Sequence, residues 1–163
     1  MLEASVGLLE ASVGGVSMGS GGYTIRRAVV QDAAEVAGVN VDSWRSAYRG
    51  ILSDAYLDSL SYAAREENLR ARLQMGCDPE RHYAMFVAED AQGRIIGFAD
   101  GGPERSGDAE YDGELYAIYL LEGHRCHGLG RRLLQQVTLH LAENHFSRDA
   151  DLGFGGQPVA AFL

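Results

Sequence analysis

Apolar residues recur along this chain with two periods, near 2 and near 3.6, and the switches between them mark its elements. The run Tyr23-Thr-Ile-Arg-Arg-Ala28 alternates and predicts a first strand. Asp32 then stands as a helix cap before an apolar face of Ala33, Val36 and Ala37, with Val39 and Asn40 beside it. The helical pattern runs on through Trp44 to Tyr48, and Gly50 breaks it. Ser53 or Asp54 caps a second, short helix ending near Leu60. A third covers about residues 63–73, with one charged face, and residues 76–79 form a loop. Residues 83–89 and 94–100 are strands joined by the turn Asp90-Ala-Gln-Gly93, hence a hairpin. Residues 101–113 are polar and glycine-rich and predict a loop.

The richest stretch comes next. Residues 115–121 alternate as a strand, and a loop with Arg125, Gly128 and Gly130 follows. A helix of about residues 128–143 carries Leu129, Leu133, Leu134, Val137, Leu139 and Leu141. A strand, a glycine loop and a helix N-terminus make a ready anion site. Free N–H groups point outward there, and the helix dipole favours negative charge. Gly128 and Gly130 let the backbone approach a phosphate without an intervening Cβ, and Arg125 and Arg131 add positive charge. The whole order predicts an α/β fold, a mixed sheet with helices on both faces.

Composition narrows the function classes. The chain has 163 residues, 46% of them apolar, enough for one domain with a core. A net charge of −9, from 23 acidic and 14 basic groups, disfavours nucleic acid and anionic membrane as partners. No apolar run approaches the roughly 18 residues of a membrane span. Cys77 and Cys126 are far apart and lack metal-ligand spacing, so no metal is expected and a reducing cytoplasm is the simplest location. Residues 1–22 contain Leu-Glu-Ala-Ser-Val-Gly twice, at 2–7 and 9–14, then glycine and serine. They are expected to form a disordered tail, with Met18 as an alternative start.

The order Arg125-Cys-His-Gly128-Leu-Gly130 after such a strand resembles the pyrophosphate loop of the GNAT acetyltransferase superfamily. The resemblance extends from Tyr23 to about Phe146 in element order. Ser43-Trp-Arg-Ser-Ala-Tyr-Arg-Gly-Ile51, followed by Tyr56-Leu57, is similar to the first-helix region of a bacterial branch. It implies an acyl-CoA-dependent N-acetyltransferase acting on an amine of a small molecule or peptide, with acetyl-CoA as co-substrate. Carried over, Ile118, Tyr119 and Leu120 line the pantetheine arm. Arg125, Cys126, His127, Gly128, Leu129, Gly130 and Arg131 hold the pyrophosphate. Glu114, eleven residues before Arg125, takes the place of the glutamate base, with Glu110, Asp112 and Asp100 as rivals. The family acid is often a tyrosine on the last helix, which is not legible here. The acceptor and oligomeric state are not named by the sequence.

Several local features have plainer readings. Trp44 and Tyr48 share a helix face as i and i+4, and core packing is favoured over an acceptor wall. His124 and His127 flank the loop within reach of a phosphate. Cys126 has no partner for a nucleophilic role. A dinucleotide-binding fold is a weaker reading, because its glycine loop should follow the first strand.

The resemblance fades near Arg148. Residues 149–163 lack strand periodicity where the family continues with strand, turn, helix and closing strands. Reverse translation of residues 150–162 in the second frame permits Arg-Ile-Trp-Val-Leu-Ala-Ala-Asn-Pro-Ser-Arg-Arg-Phe, which reads as the next strand and turn. The expected organisation is a tail (1–22), an incomplete GNAT-like acyl-CoA-binding domain (23–149) and a frameshifted, non-family segment (150–163). The predicted sheet is mostly antiparallel and lacks its C-terminal strands and helix. Such a chain would be impaired in turnover, and a non-catalytic acyl-CoA-binding or interaction remnant is the alternative.

Overall fold

The computed structural model describes residues 17–18, 22–107 and 111–144. Five strands, β1 (Ser17–Met18), β2 (Thr24–Arg27), β3 (Ala84–Glu89), β4 (Ile95–Pro103) and β5 (Gly113–Leu120), form one sheet in that order. Every neighbouring pair is antiparallel, so the expected mixed sheet has no parallel pair among the described residues. The helices are α1 (Ala33–Ala47), α2 (Asp54–Ser59), α3 (Tyr62–Met75) and α4 (Leu129–Glu143). None is long and apolar enough to cross a membrane. β1 pairs with Thr24 and Ile25, within the stretch expected to lack order. Residues 1–16, 19–21 and 145–163 lie outside the described residues, and so do the rest of the tail expectation and the frame change.

α1 and α3 bury Val36, Ala37, Val39, Leu69 and Leu73 against Met85, Val87 and Phe98 on one sheet face. α4 buries Leu129, Leu133, Val137 and Leu141 against Ile25, Ala88, Ile96 and Ala99 on the other. Those four α4 residues repeat at i, i+4, so one stripe meets the sheet. Each buried leucine contributes about 1.5–3 kcal/mol. Leu139, counted with that face from sequence, points to solvent and is 48% exposed.

The caps differ in detail from the sequence reading. Ser53 caps α2, its Oγ accepting from the Tyr56 N–H at 3.3 Å. Ser61 caps α3 by accepting from the Ala64 N–H at 3.3 Å. Asp32 does not cap α1 with its side chain. It accepts from the Val29 N–H at 2.8 Å, and the Arg26 guanidinium grips both its oxygens at 2.7 and 2.9 Å. Burial pushes the Asp32 carboxyl up, yet these donors together hold it below the usual range.

β4 runs through Gly101 and Gly102 to Pro103, and β5 begins at Gly113, so the predicted 101–113 loop is shorter at both ends. The two glycines are strand residues for a packing reason. A Cβ at Gly101 would lie 2.6 Å from Val137 Cγ1, and one at Gly102 would lie 2.8 Å from the Tyr116 hydroxyl. They allow α4 and Tyr116 to press on the sheet.

Candidate active site

β5 is an edge strand: β4 pairs with one side, and no described strand pairs with the other. Its register slips in the middle. Asp100 opposes Ala117, the next residue Gly101 opposes Leu115, and Tyr116 is the extra residue of a bulge. A bulge bends a strand and re-aims its side chains. Here it turns Tyr116 so that its hydroxyl donates to the Pro103 carbonyl at 2.6 Å. Ile118 and Leu120 pack with the α4 side of the core, and Tyr119 packs with the α1 side. These strand residues offer a ligand their backbone edge. The Tyr119 hydroxyl accepts from Trp44 Nε1 at 2.9 Å, and the Trp44 and Tyr48 rings lie 4.9 Å apart. Trp44 and Tyr48 therefore join the packing of α1 on β5.

The chain leaves β5 through a short 3-10 turn, Glu122–His124, and reaches α4 by two left-handed residues. Cys126 has φ +65° and Gly128 has φ +73°. Space around Gly128 is open, and a Cβ added there would meet nothing within 4 Å. The positive φ, costly for a side-chain-bearing residue, is what calls for glycine. As the N-cap of α4, Gly128 brings no capping side chain. The first-turn N–H groups of Leu129, Gly130 and Arg131 have no intrahelical acceptor and are available to an anion.

The predicted pyrophosphate residues converge on this turn in two ways. Arg125 folds back, its Nε donating to the Leu120 carbonyl at 3.4 Å and its Nη2 to Ser46 Oγ at 3.4 Å. His127 Nδ1 bonds the Arg125 carbonyl at 2.7 Å, which braces the loop. Cys126, His127 and Arg131 are exposed, while the Leu129 side chain is core. Leu129 can contribute only its backbone. His124 Nδ1 meets the Tyr23 hydroxyl at 3.5 Å. Both cysteines are free.

The carboxylates divide sharply. Glu114 is gripped by Arg105: Nε donates to Oε2 at 2.9 Å, Nη2 to Oε1 at 2.6 Å, and the Arg105 backbone N–H to Oε2 at 3.2 Å. This fork holds the Glu114 carboxyl below the usual carboxylate range. The same guanidinium lies 3.6 Å above the Tyr116 ring. Asp100 is wholly buried; Arg72 pairs with its Oδ2 at 2.5 Å and the Tyr83 hydroxyl donates to it at 2.9 Å. Oδ1 is buried without a hydrogen-bond partner among the described residues. Burial pushes the Asp100 carboxyl up, against the pull of Arg72 and Tyr83. Asp112 is used through its backbone carbonyl, which accepts from the Glu104 N–H at 2.9 Å. Glu110 lies outside the described residues. Sequence reasoning missed Arg72 and Arg105, and no local pattern marks them, because their partners are 28 and 9 residues away.

Comparison with known proteins agrees with this geometry. The Acetyltransferase (GNAT) family profile matches residues 41–153. An uncharacterized N-acetyltransferase of Bacillus subtilis (strain 168), YuaI, is 43% identical over 124 residues, which are 76% of this chain and 67% of that protein. The crystal structure of the PaiA N-acetyltransferase of Thermoplasma acidophilum, in complex with coenzyme A, superposes with TM-score 0.64 at 21% identity, covering 81% of this chain and 84% of that one. The yncA structure of Salmonella typhimurium, with its cofactor acetyl-CoA, superposes with TM-score 0.53 at 25% identity, covering 74% and 64%. With its profile match, its curated relative and its antiparallel sheet flanked by helices, the chain belongs to the GNAT acetyltransferase family.

Proposed function

We propose that this protein transfers an acetyl group from acetyl-CoA to an amine of a small molecule or peptide. The observation that carries the proposal is Gly128, left-handed at the start of α4 and directly behind the open edge of β5. The residues fit the cofactor: a strand edge with no partner among the described residues for an amide-rich arm, then a helix N-terminus without a capping side chain for a pyrophosphate. In this proposal the backbone of Ile118, Tyr119 and Leu120 pairs with the arm. Arg125, Cys126, His127, Gly128, Leu129, Gly130 and Arg131 surround the pyrophosphate. When bound, acetyl-CoA supplies an activated thioester acyl group.

The chain's own task is to orient the amine and remove its proton. A free amine is mostly ammonium near pH 7, and the nucleophile must be neutral. Glu114 is the proposed base, at the start of the edge strand. Arg105 keeps it ionised, so it is in the accepting form at neutral pH. Both of its oxygens already accept from Arg105, so the proton reaches it through a water on a remaining lone pair.

The same grip favours a second reading, a non-catalytic acyl-CoA-binding or interaction remnant, because a base held this tightly is a weak one. A CoA titration beside thiol release from acetyl-CoA with a panel of amines separates the two. Binding with amine-dependent release is expected. Binding without release selects the remnant, and absence of binding overturns both.

A further inference from the structure

The proposed base keeps a geometry that charge alone does not explain. Glu114 and Arg105 are both open to water, with side-chain exposures of 34% and 54%. An ion pair this exposed gains little from attraction, and two long side chains in water pay entropy to hold one arrangement. The fork is nevertheless complete, with both Glu114 oxygens held by Nε and Nη2 of Arg105. A further contact separates this pair from an ordinary surface pair. The Arg105 guanidinium lies over the Tyr116 ring, 3.6 Å from its centre.

That ring is fixed from several sides. Tyr116 is the extra residue of the β5 bulge, between Leu115 opposite Gly101 and Ala117 opposite Asp100. Its hydroxyl donates to the Pro103 carbonyl at 2.6 Å. Its ring stacks on that of Tyr83, with the two planes 16° apart. Tyr83 is itself buried and donates to Asp100 at 2.9 Å. The Arg72 guanidinium, paired with Asp100, lies 5.6 Å from the centre of the Tyr83 ring and 5.8 Å from that of Tyr116. A side chain anchored in the sheet thus carries a guanidinium at the surface.

Position matters to this base in particular. Both oxygens accept from Arg105, so only the remaining lone pairs can receive a proton through water. The fork fixes the plane of the carboxylate, and with it the direction in which those lone pairs point. We propose that Tyr116 is a positioning residue of the reaction: its ring holds Arg105, and Arg105 aims the Glu114 carboxylate toward the amine. This rests on the acetyl-transfer reading with Glu114 as base, and it adds the residue that orients the base. The charges around the pair are few. Arg105 holds the Glu114 carboxyl below the usual range, against burial and the charge of Glu104. Asp100 from β4 and Arg72 from α3 face the ring. Burial pushes the Tyr116 hydroxyl up, so the phenol is neutral wherever a glutamate titrates.

The experiment follows the Glu114 carboxyl carbon by NMR in the full chain between about pH 3 and pH 7, with the signal assigned by its loss in Glu114→Gln. The parent midpoint is expected below that of a free glutamate, about pH 4.3. Tyr116→Leu and Tyr116→Met remove the ring and should raise the midpoint toward that value, as Arg105→Gln does. Tyr116→Phe keeps the ring and should leave the midpoint at the parent position. Phe86→Leu removes a ring on the α4 side of the sheet and should leave it there too, so lost packing by itself moves nothing. Thiol release at saturating amine should fall by up to about 10²-fold in kcat for the two ringless variants, with the KM for acetyl-CoA unchanged, and should return in Tyr116→Phe. A midpoint that stays put in the ringless variants, one that Tyr116→Phe or Phe86→Leu moves as far, or an undiminished kcat overturns the proposal. If neither ringless variant folds, Arg105→Lys decides, because lysine keeps the charge and loses the flat stacked contact: a raised midpoint supports the ring, and a parent midpoint overturns it. The two arms separate the failures. If Glu114→Gln abolishes release while the midpoint ignores the ring, the base stands and its positioning by Tyr116 is wrong. If Glu114→Gln leaves release unchanged, or the parent releases no thiol with any amine, the reading beneath fails and takes the proposal with it.

Discussion

The two ends of β5 are built by different means. At its C-terminal end the turn into α4 is made of backbone: a left-handed Gly128, a left-handed Cys126 and an uncapped helix start. At its N-terminal end the flank is made of side chains from distant elements: Arg105 on Glu114, Arg72 on Asp100, and Tyr83 and Tyr116 between them. The backbone end depends on local conformation and tolerates change in exposed side chains. The side-chain end depends on charge balance, and each member constrains the others. Mutations at the two ends should therefore fail in different ways: lost cofactor affinity at one, lost chemistry or stability at the other.

The largest effect belongs to the side-chain end. Glu114→Gln should lower turnover about 10²- to 10⁴-fold, the usual cost of losing a general base, with CoA affinity unchanged. Thiol release and a CoA titration on the same preparation check this. An unchanged rate would assign the proton to another group and collapse the contrast between the ends. Next comes Arg72→Ala, which leaves the wholly buried Asp100 without its cation. Breaking a buried pair by removing one partner costs about 3–5 kcal/mol, and denaturant unfolding should show a loss of that order. A loss below about 1 kcal/mol would mean that Asp100 is held neutral in the fold, with Tyr83 as its sufficient partner.

The backbone end is sharpened by a pair of substitutions at one position. Gly128→Asn keeps a residue that visits the left-handed region, and Gly128→Val does not. Both side chains add bulk to the open space around Gly128 at the start of α4, so both should weaken CoA binding, by roughly tenfold if one charge-assisted bond is lost. Only valine should also destabilise the fold, by about 1–2 kcal/mol. Equal CoA affinity for the parent and the asparagine variant would remove the pyrophosphate from this turn.

This contrast also explains what was legible in the sequence. The glycine turn could be read because its signal is contiguous: an alternating strand, Arg125, Gly128, Gly130 and an i, i+4 leucine stripe. The helices were legible for the same reason, through Val36 and Ala37 on α1, through Ser53 or Asp54 at the start of α2 and through the one charged face of α3, whose Ser61 cap was not read. Gly101 and Gly102 misled because a glycine pair reads as a chain break. Here it marks close contact with Val137 and Tyr116, which no local pattern encodes. Asp32 misled because its side chain serves Arg26 and the turn before the helix. Glu114 was found by its spacing from Arg125, but its state depends on Arg105 across a loop, and Asp100 depends on Arg72 from another layer.

The smallest expected effect tests that dependence most directly. Arg105→Gln removes the cation from Glu114, yet the pair is largely exposed, with side-chain exposures of 54% and 34%. Solvent screening limits its stabilisation to about 0.2–1 kcal/mol. The sign with pH follows from the direction of the shift. Arg105 lowers the folded-state value of Glu114 below its unfolded one. The pair's stabilisation is therefore complete above the ordinary glutamate range, about pH 4.3, and is lost as pH falls through the depressed folded value. Asp100 has the opposite sign. Burial raises its folded value, so its favourable contribution is present below the unfolded carboxylate range and is lost as pH rises through that raised value. Arg105 also eases the charge on Asp100, so removing it adds a second deficit on the neutral side. Thermal unfolding of parent and Arg105→Gln between about pH 3 and pH 7 should show a small deficit at neutral pH that closes on acidification. A deficit that stays constant across this range would trace to the lost contact of the guanidinium with the Tyr116 ring and not to the carboxylates.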